Sequence, residues 1–169
     1  MELIKSYFSV KYFILDLLLL IVLYLLPAIS HALVIPFYLL DPMRIIVFIS
    51  ILFTDKKNSF ILALTIPVFS FLLASHPVLI KSLLIAAELI FNLFLFYGLY
   101  KKYKNIFVIT FLSIVVSKLF YYFLKYIAIQ AGLLNFSLIS TSLWIQLIVT
   151  ATISLAVLFT SKKIDKKFA

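Results

Sequence analysis

Cysteine is absent from this 169-residue chain. Glycine and acidic residues are scarce: the chain has two glycines and six Asp and Glu residues. Without cysteine the chain forms neither disulfides nor thiolate metal sites. Two glycines are too few for a glycine-rich loop that holds phosphate. The sequence also contains no HExxH or GxSxG motif and no glutamate pair with an arginine. These absences predict a protein that is not an enzyme and that uses no cofactor or metal.

Apolar side chains dominate the composition. Hydrophobic residues make up 66% of the chain, and the mean hydropathy is +1.24. Soluble domains contain about 45–50% apolar residues. A chain of this length has too much surface to hide such an excess in a core, so we expect lipid to solvate much of it. The composition predicts an all-α polytopic membrane protein.

Six apolar segments predict a six-helix transmembrane bundle in a single domain, residues 1–169, because no flexible linker interrupts the chain. The first apolar run is too long for the core of a signal peptide, so we expect it to remain as the first span. The second is short for a complete crossing. Prolines and short polar turns separate the segments. The predicted spans are 12–34, 42–53, 59–74, 77–99, 106–129 and 138–160.

Basic residues mark alternate loops and predict the orientation. Of the 15 Lys and Arg residues, four lie within predicted spans. The remaining eleven lie in the N-terminal segment, the loops 54–58 and 101–105, and the C-terminal tail. By the positive-inside rule both termini are cytoplasmic, which predicts a multi-pass membrane protein. The net charge of +9 could also indicate nucleic-acid binding. Because the lysines lie in short loops between apolar spans, we favour a role in orienting the protein in the membrane.

Span 4 carries a polar stripe on an otherwise apolar helix. At 100° per residue, Glu88 and Asn92 each lie within about 20° of Lys81 around the helix axis. A stripe of this kind is expected to face protein or a wet cavity rather than lipid. At 1.5 Å per residue, Lys81 lies roughly 6 Å and Glu88 roughly 16 Å from the outer end of the span.

Span 5 carries a matching stripe. Lys118 lies roughly 18 Å and Lys125 roughly 7 Å from its outer end by the same rise. Lys118 is therefore level with Glu88 and predicted to pair with it. Lys125 is level with Lys81 and Arg44, and His76 lies just above them. The depths predict an outward-facing pocket with a cationic rim and a Glu88–Lys118 floor, suited to a small anionic or zwitterionic solute.

Two further polar residues complete this candidate substrate site: Tyr122 on span 5, within about 40° of the lysine stripe, and Gln146 on span 6. Gln146 belongs to a row with Ser142 and Thr150 that either lines the pocket or joins helices. The charges also fit purely structural roles. Arg44, Lys81 and Lys125 are close enough to the interface to extend toward it, and Glu88 with Lys118 fits a structural ion pair.

These features together resemble the substrate-binding S component of an energy-coupling factor (ECF) vitamin transporter. The resemblance lies in the size, the six spans, the short second span, the loop IPFYLLDP after span 1, and the HP…K…E…N pattern of span 4. It implies a membrane-embedded binding protein of the bacterial plasma membrane that works with a transmembrane T subunit and two cytoplasmic ATPases. It assigns substrate binding to the residues Lys81, Glu88, Asn92, Lys118, Tyr122, Lys125 and Gln146.

The resemblance also concerns docking and leaves other functions open. The family docks its T subunit through alanines of span 1, for which Ala28 and Ala32 are the candidates here, in the outer half of the span. An alternative is a scaffold of the cell-shape machinery, of the MreD type, which has similar length and span count. A further alternative is an intramembrane protein that uses the same cations to bind a lipid phosphate.

Overall fold

The computed structural model describes residues 10–34, 36–74 and 77–160, and in these ranges the chain is helical with no strand. This confirms the all-α prediction for the described part. Each α-helix overlaps one predicted apolar segment, although α3 begins at Lys56 rather than 59 and α6 at Leu143 rather than 138. In order, the elements are α1 (Val10–Leu33), a 3-10 helix (Phe37–Leu40), α2 (Pro42–Phe53), α3 (Lys56–Ala74), α4 (Leu79–Tyr100), α5 (Ile106–Gln130) and α6 (Leu143–Phe159).

Three of these helices are long and apolar enough to cross a membrane, with apolar stretches at Lys56–Leu73, Leu79–Tyr100 and Ile106–Gln130. The apolar stretches of the other helices are shorter: Tyr12–Leu26, Pro42–Phe53 and Leu143–Phe159. A complete crossing takes about 20 apolar residues. The described helices are therefore compatible with a membrane protein that has three candidate spans by length and composition.

Neighbouring helices in sequence pack against one another. Helix α4 lies between α3 and α5, α6 packs on α5, and α2 packs on α3. Helix α1 contacts α2 and α3. The 3-10 helix contacts α1, α2 and α6, so it lies over the end of the bundle where α2, α4 and α6 begin and α5 ends. This end is called the polar end below.

The apolar core extends from the middle of the bundle toward the opposite end. Its members lie in the middle of α1, α2 and α3, from the middle of α4 and α6 toward their ends, and in the first half of α5. The core residues include Ile46, Val47, Phe48, Ile51, Leu62, Ala63, Ile66, Leu89, Leu93, Phe96, Ile106, Ile109, Ile114, Ile153 and Val157. The buried charged residues instead lie in the first turns of α2, the first half of α4 and the second half of α5. The fold thus separates an apolar half from a polar end.

The two ends of α5 are fixed by local sequence. At its start, the Asn105 side chain accepts hydrogen bonds from the backbone N–H groups of Phe107 and Val108, at 3.1 and 3.3 Å. At its end, Gly132 has a φ of 70°, and the N–H groups of Gly132 and Leu133 donate back to the carbonyls of Ile129 and Ala128. This is a Schellman motif, which needs a residue tolerant of positive φ. It directs the chain into the loop 131–142 over the polar end.

Candidate functional site

Four charged residues form a compact network at the polar end. Arg44, in the first turn of α2, is 1% exposed and pairs with the carboxylate of Glu88 on α4. Its Nε lies 3.2 Å from Asp41 Oδ2. Lys118 Nζ on α5 lies 3.1 Å from the same Asp41 oxygen and 3.9 Å from Glu88 Oε1. Two cations and two carboxylates thus balance, and we call these four residues the charge-balanced network.

Asp41 is placed in the network by its backbone. It occupies the position before α2 with φ 54° and ψ 57°, and Pro42 follows as the first helical residue. Its carbonyl accepts from the Arg44 N–H at 3.0 Å, but its carboxylate does not cap the helix. That carboxylate turns to Lys118 and Arg44 instead. Burial by itself raises the pKa of Asp41, yet the two cations outweigh it and hold the pKa below its ordinary value.

This geometry corrects two predictions. Arg44 does not join Lys81 and Lys125 at a rim, because the start of α2 lies beside α4 and the long guanidinium side chain reaches Glu88. Arg44 and Lys125 also do not extend toward solvent, since each is 1% exposed. The predicted contact between Glu88 and Lys118 is present, but each has a closer partner.

Lys81 and Lys125 form a second cluster, which we call the lysine pair. The buried Lys125 Nζ donates to the Leu138 carbonyl at 2.9 Å and lies 6.0 Å from the centre of the Tyr121 ring. Lys81 Nζ lies 5.7 Å from the centre of the Phe136 ring. Both side chains therefore meet the loop 131–142 within two residues of each other, which brings two like charges near one another between α4 and α5. Aromatic faces stabilise them only partly.

No carboxylate of the described residues forms an ion pair with either member of the lysine pair. Asp41 and Glu88 are occupied within the charge-balanced network. Asp16 accepts from the Asn58 side chain, and Asp55 lies at the start of α3, so both lie at the opposite end of the bundle. Within the described part of the chain, the lysine pair therefore keeps an uncompensated positive charge.

Tyr122 and Gln146 connect α5 to α6 beside these clusters. The Tyr122 hydroxyl donates to Gln146 Oε1 at 2.8 Å, and Gln146 Nε2 donates to the Thr141 carbonyl at 2.8 Å. The Thr150 hydroxyl bonds back to the Gln146 carbonyl of its own helix, and Ser142 is exposed. Of the polar row on α6, only Gln146 reaches another helix in these contacts, and both ends of its amide are bonded.

Asn92 lies apart from both clusters. Its side chain is fully buried between α4 and α5, where Nδ2 donates to Ser117 Oγ at 3.2 Å. Its Oδ1 has no hydrogen-bond partner in the described part of the protein. Leu89 and Leu93, its neighbours along the helix, belong to the apolar core. This position makes Asn92 a link between helices rather than a member of the charged clusters.

The remaining predicted positions are not brought into this site by the described contacts. His76 lies outside the described residues, as does the side chain of Ala28. Ala32 is an exposed residue of α1. Among the described residues, no three His, Cys, Asp or Glu side chains gather in a way that suits a metal ion.

Sequence reasoning missed three contributors to these clusters. Asp41 was not among the predicted site residues, although its spacing of three residues from Arg44 places the two on one side of a helix start. Tyr121 lies next to the predicted Tyr122, but its ring contact with Lys125 depends on the local rotamers. Phe136 carries no sequence signal, because the path of the loop 131–142 decides which ring meets Lys81.

The arrangement at the polar end thus combines a neutral network with a positively charged pair flanked by aromatic rings. No protein-family model, curated protein or solved structure matches this chain. Its function is therefore inferred from its own residues. The chemistry available is the binding of an anionic group by two ammonium ions next to aromatic surfaces.

Proposed function

We propose that this protein is the substrate-binding S component of an ECF-type transporter, which captures a small anionic vitamin or micronutrient from outside the cell. The observation that supports the proposal best is the lysine pair. Lys125 is 1% exposed, yet its ammonium group has no carboxylate partner among the described residues. A buried charge without a counterion is costly, so an anionic ligand explains why it is present.

The proposed site is narrower than the one expected from the sequence. Lys81 and Lys125 contact the anionic group, and the rings of Tyr121 and Phe136 border it. Arg44, Glu88 and Lys118 support the site by joining three helices, and their charges are already satisfied. Tyr122 and Gln146 hold the loop 131–142 in place through the Thr141 carbonyl.

The proposal includes six membrane spans with both termini in the cytoplasm of a bacterium and the polar end facing outward. The alternation of lysine-rich and lysine-poor loops supports this orientation. The chain has no nucleotide-binding motif, which leaves a partner, an ion gradient or facilitated passage as the means of transport, and we propose partners. The partners implied by the resemblance are a T subunit and two ATPases, and uptake of the solute is then driven by ATP.

Mass spectrometry of small molecules that co-purify with the protein tests the capture of a solute. The wild type is compared with the double variant Lys81→Met, Lys125→Met and with Lys102→Met, which removes an exposed lysine from a loop at the other end of the bundle. We expect an anionic solute with the wild type and with Lys102→Met, and its loss from the double variant. A neutral or cationic solute, or one retained by the double variant, contradicts the proposal.

The absence of cysteine makes the orientation easy to test. Single cysteines are placed at the exposed positions Asn135, in the loop 131–142, and Lys104, between α4 and α5. An impermeant maleimide added to intact cells is expected to label Asn135→Cys but not Lys104→Cys. Labelling of Lys104→Cys alone would indicate the opposite orientation in the membrane. Labelling of both variants would contradict a crossing of the membrane by α5.

A lipid phosphate is the second candidate ligand. Lys81 lies in the first turn of α4 and is partly exposed, which suits contact with a headgroup at the membrane surface. The same mass spectra separate the candidates, because a lipid in place of a water-soluble anion favours the lipid-binding function.

A further inference from the structure

We infer that the ligand presents a doubly negative oxyanion group to the lysine pair, a class that includes phosphate monoesters and sulfate. The inference rests on the proposed binding of an anion and specifies its charge. It follows from the difference between the two charged clusters at the polar end.

The local charge balance leaves the lysine pair in excess. Arg44 and Lys118 are matched by Asp41 and Glu88, with contacts at or below 3.9 Å. These four residues contribute no net charge. Lys81 and Lys125 then leave an excess of two positive charges, since no described carboxylate pairs with either of them.

Repulsion within the pair favours a ligand that carries two negative charges. Lys81 and Lys125 contact residues two apart in the same loop, Phe136 and Leu138, so their like charges lie near one another, and Lys125 is 1% exposed. A singly charged anion neutralises one ammonium and leaves the other uncompensated in a partly dry site. A doubly charged oxyanion neutralises both, and its several oxygens accept hydrogen bonds from both side chains.

The lysine pair also has hydrogen-bonding capacity to spare. An ammonium group has three N–H donors. The Leu138 carbonyl accepts one from Lys125. The contact of Lys81 with Phe136 is a cation–π contact and uses no hydrogen bond to an oxygen acceptor. The pair therefore has donors left for an oxyanion without any change in the charge-balanced network.

Sulfate and methanesulfonate provide a direct test, because both have a tetrahedral sulfur that bears at least three oxygens and they differ by one charge. Dissociation constants are obtained from the concentration dependence of the midpoint of thermal unfolding of the full-length protein in detergent. The double variant Lys81→Met, Lys125→Met gives the baseline, since sulfate also stabilises proteins without binding. We expect the wild type to bind sulfate at least about tenfold more tightly than methanesulfonate.

Single variants test whether the preference comes from the pair. In Lys125→Met or Lys81→Met we expect the preference for sulfate to fall to about threefold or less, and in Lys102→Met to persist. Lys81 is partly exposed, so its variant keeps the test available if Lys125→Met does not fold. Equal affinity for the two anions in the wild type, or a preference unchanged in both single variants, overturns the inference.

Competition then distinguishes the source of the dianion. Glycerol 3-phosphate is a soluble phosphate monoester, and phosphatidic acid carries the same group on a lipid. Displacement of sulfate by either supports a doubly negative ligand. If phosphatidic acid added to the micelles competes and glycerol 3-phosphate does not, solute capture fails while the inference about charge stands. If sulfate and methanesulfonate bind equally, the inference fails while the capture of an anion stands.

Discussion

The polar end of the bundle contains two sets of charged side chains that differ in whether a buried charge has an oppositely charged partner. In the charge-balanced network, Arg44 is buried because Glu88 and Asp41 neutralise it. In the lysine pair, Lys125 is equally buried with a backbone carbonyl and an aromatic ring as its contacts. A set with matched charges stabilises the folded chain without a ligand. A set with unmatched charges lowers the stability of the ligand-free protein, and a bound anion would restore it. Arg44 and Glu88 thus hold the fold, whereas Lys81 and Lys125 are the residues that we propose to bind an anion.

The largest effect is expected from breaking the network at Glu88. Glu88→Leu leaves the buried Arg44 without its closest partner, which costs about 3–5 kcal/mol of unfolding free energy. Thermal unfolding in detergent measures the loss. The double variant Arg44→Met, Glu88→Leu removes both charges and is expected to recover most of the stability. If the single variant is as stable as the wild type, the pair does not hold the helices together.

A substitution in the lysine pair is expected to change the stability of the protein in the opposite direction. Lys125→Met keeps a similar side-chain volume but removes a buried charge that no described carboxylate compensates. The ligand-free protein is therefore expected to gain about 1 kcal/mol of stability. Its affinity for the anionic ligand falls at least about tenfold, because a charged hydrogen bond is lost. Unfolding midpoints and retained solute are measured on the same sample. A loss of stability in Lys125→Met would place Lys125 with the structural residues.

Asp41 gives the network a dependence on pH. Its pKa is lowered in the folded protein, so the stabilisation it provides is complete above the ordinary pKa of about 4 and is lost as the pH falls through the lower folded value. Asp41→Asn is expected to cost about 2 kcal/mol near neutral pH. Unfolding midpoints recorded downward from pH 6 should fall more steeply for the wild type than for the variant. If the unfolding midpoints of the wild type and the variant fall in parallel, Asp41 is not the cause of the pH dependence of stability.

The smallest effect concerns the loop that covers the lysine pair. Gly132→Ala forces a side chain into positive φ, at a cost of about 1 kcal/mol, although the added Cβ meets no atom within 4 Å. Gly98→Ala is the matched control, because its Cβ also meets open space while the backbone is helical. The control is expected to be neutral or slightly stabilising by thermal unfolding. Equal effects at the two glycines would argue against the Schellman motif.

The number and order of the α-helices were predictable from the sequence because apolar runs alternate with polar turns, although α6 begins at Leu143 rather than at the predicted 138. Depth along a helix was also predictable, so Glu88 and Lys118 were correctly placed at one level. The contacts between side chains on different helices were not predictable, because depth along a helix does not determine which helices pack against each other. Arg44 meets Glu88 only because α2 starts beside α4, and Lys81 meets Phe136 only because the loop 131–142 folds over it. These contacts depend on tertiary packing.

The placement of the apolar core in one half of the bundle has a consequence for local opening. Separation of the polar end breaks a few ion pairs and hydrogen bonds, but it leaves the contacts around Leu93 and Phe96 intact. Hydrogen exchange should therefore show two cooperative units, in which the amides of the loop 131–142 exchange by local opening and those of the core exchange only on global unfolding. A molecule built in this way can admit a solute at one end while the other end remains folded.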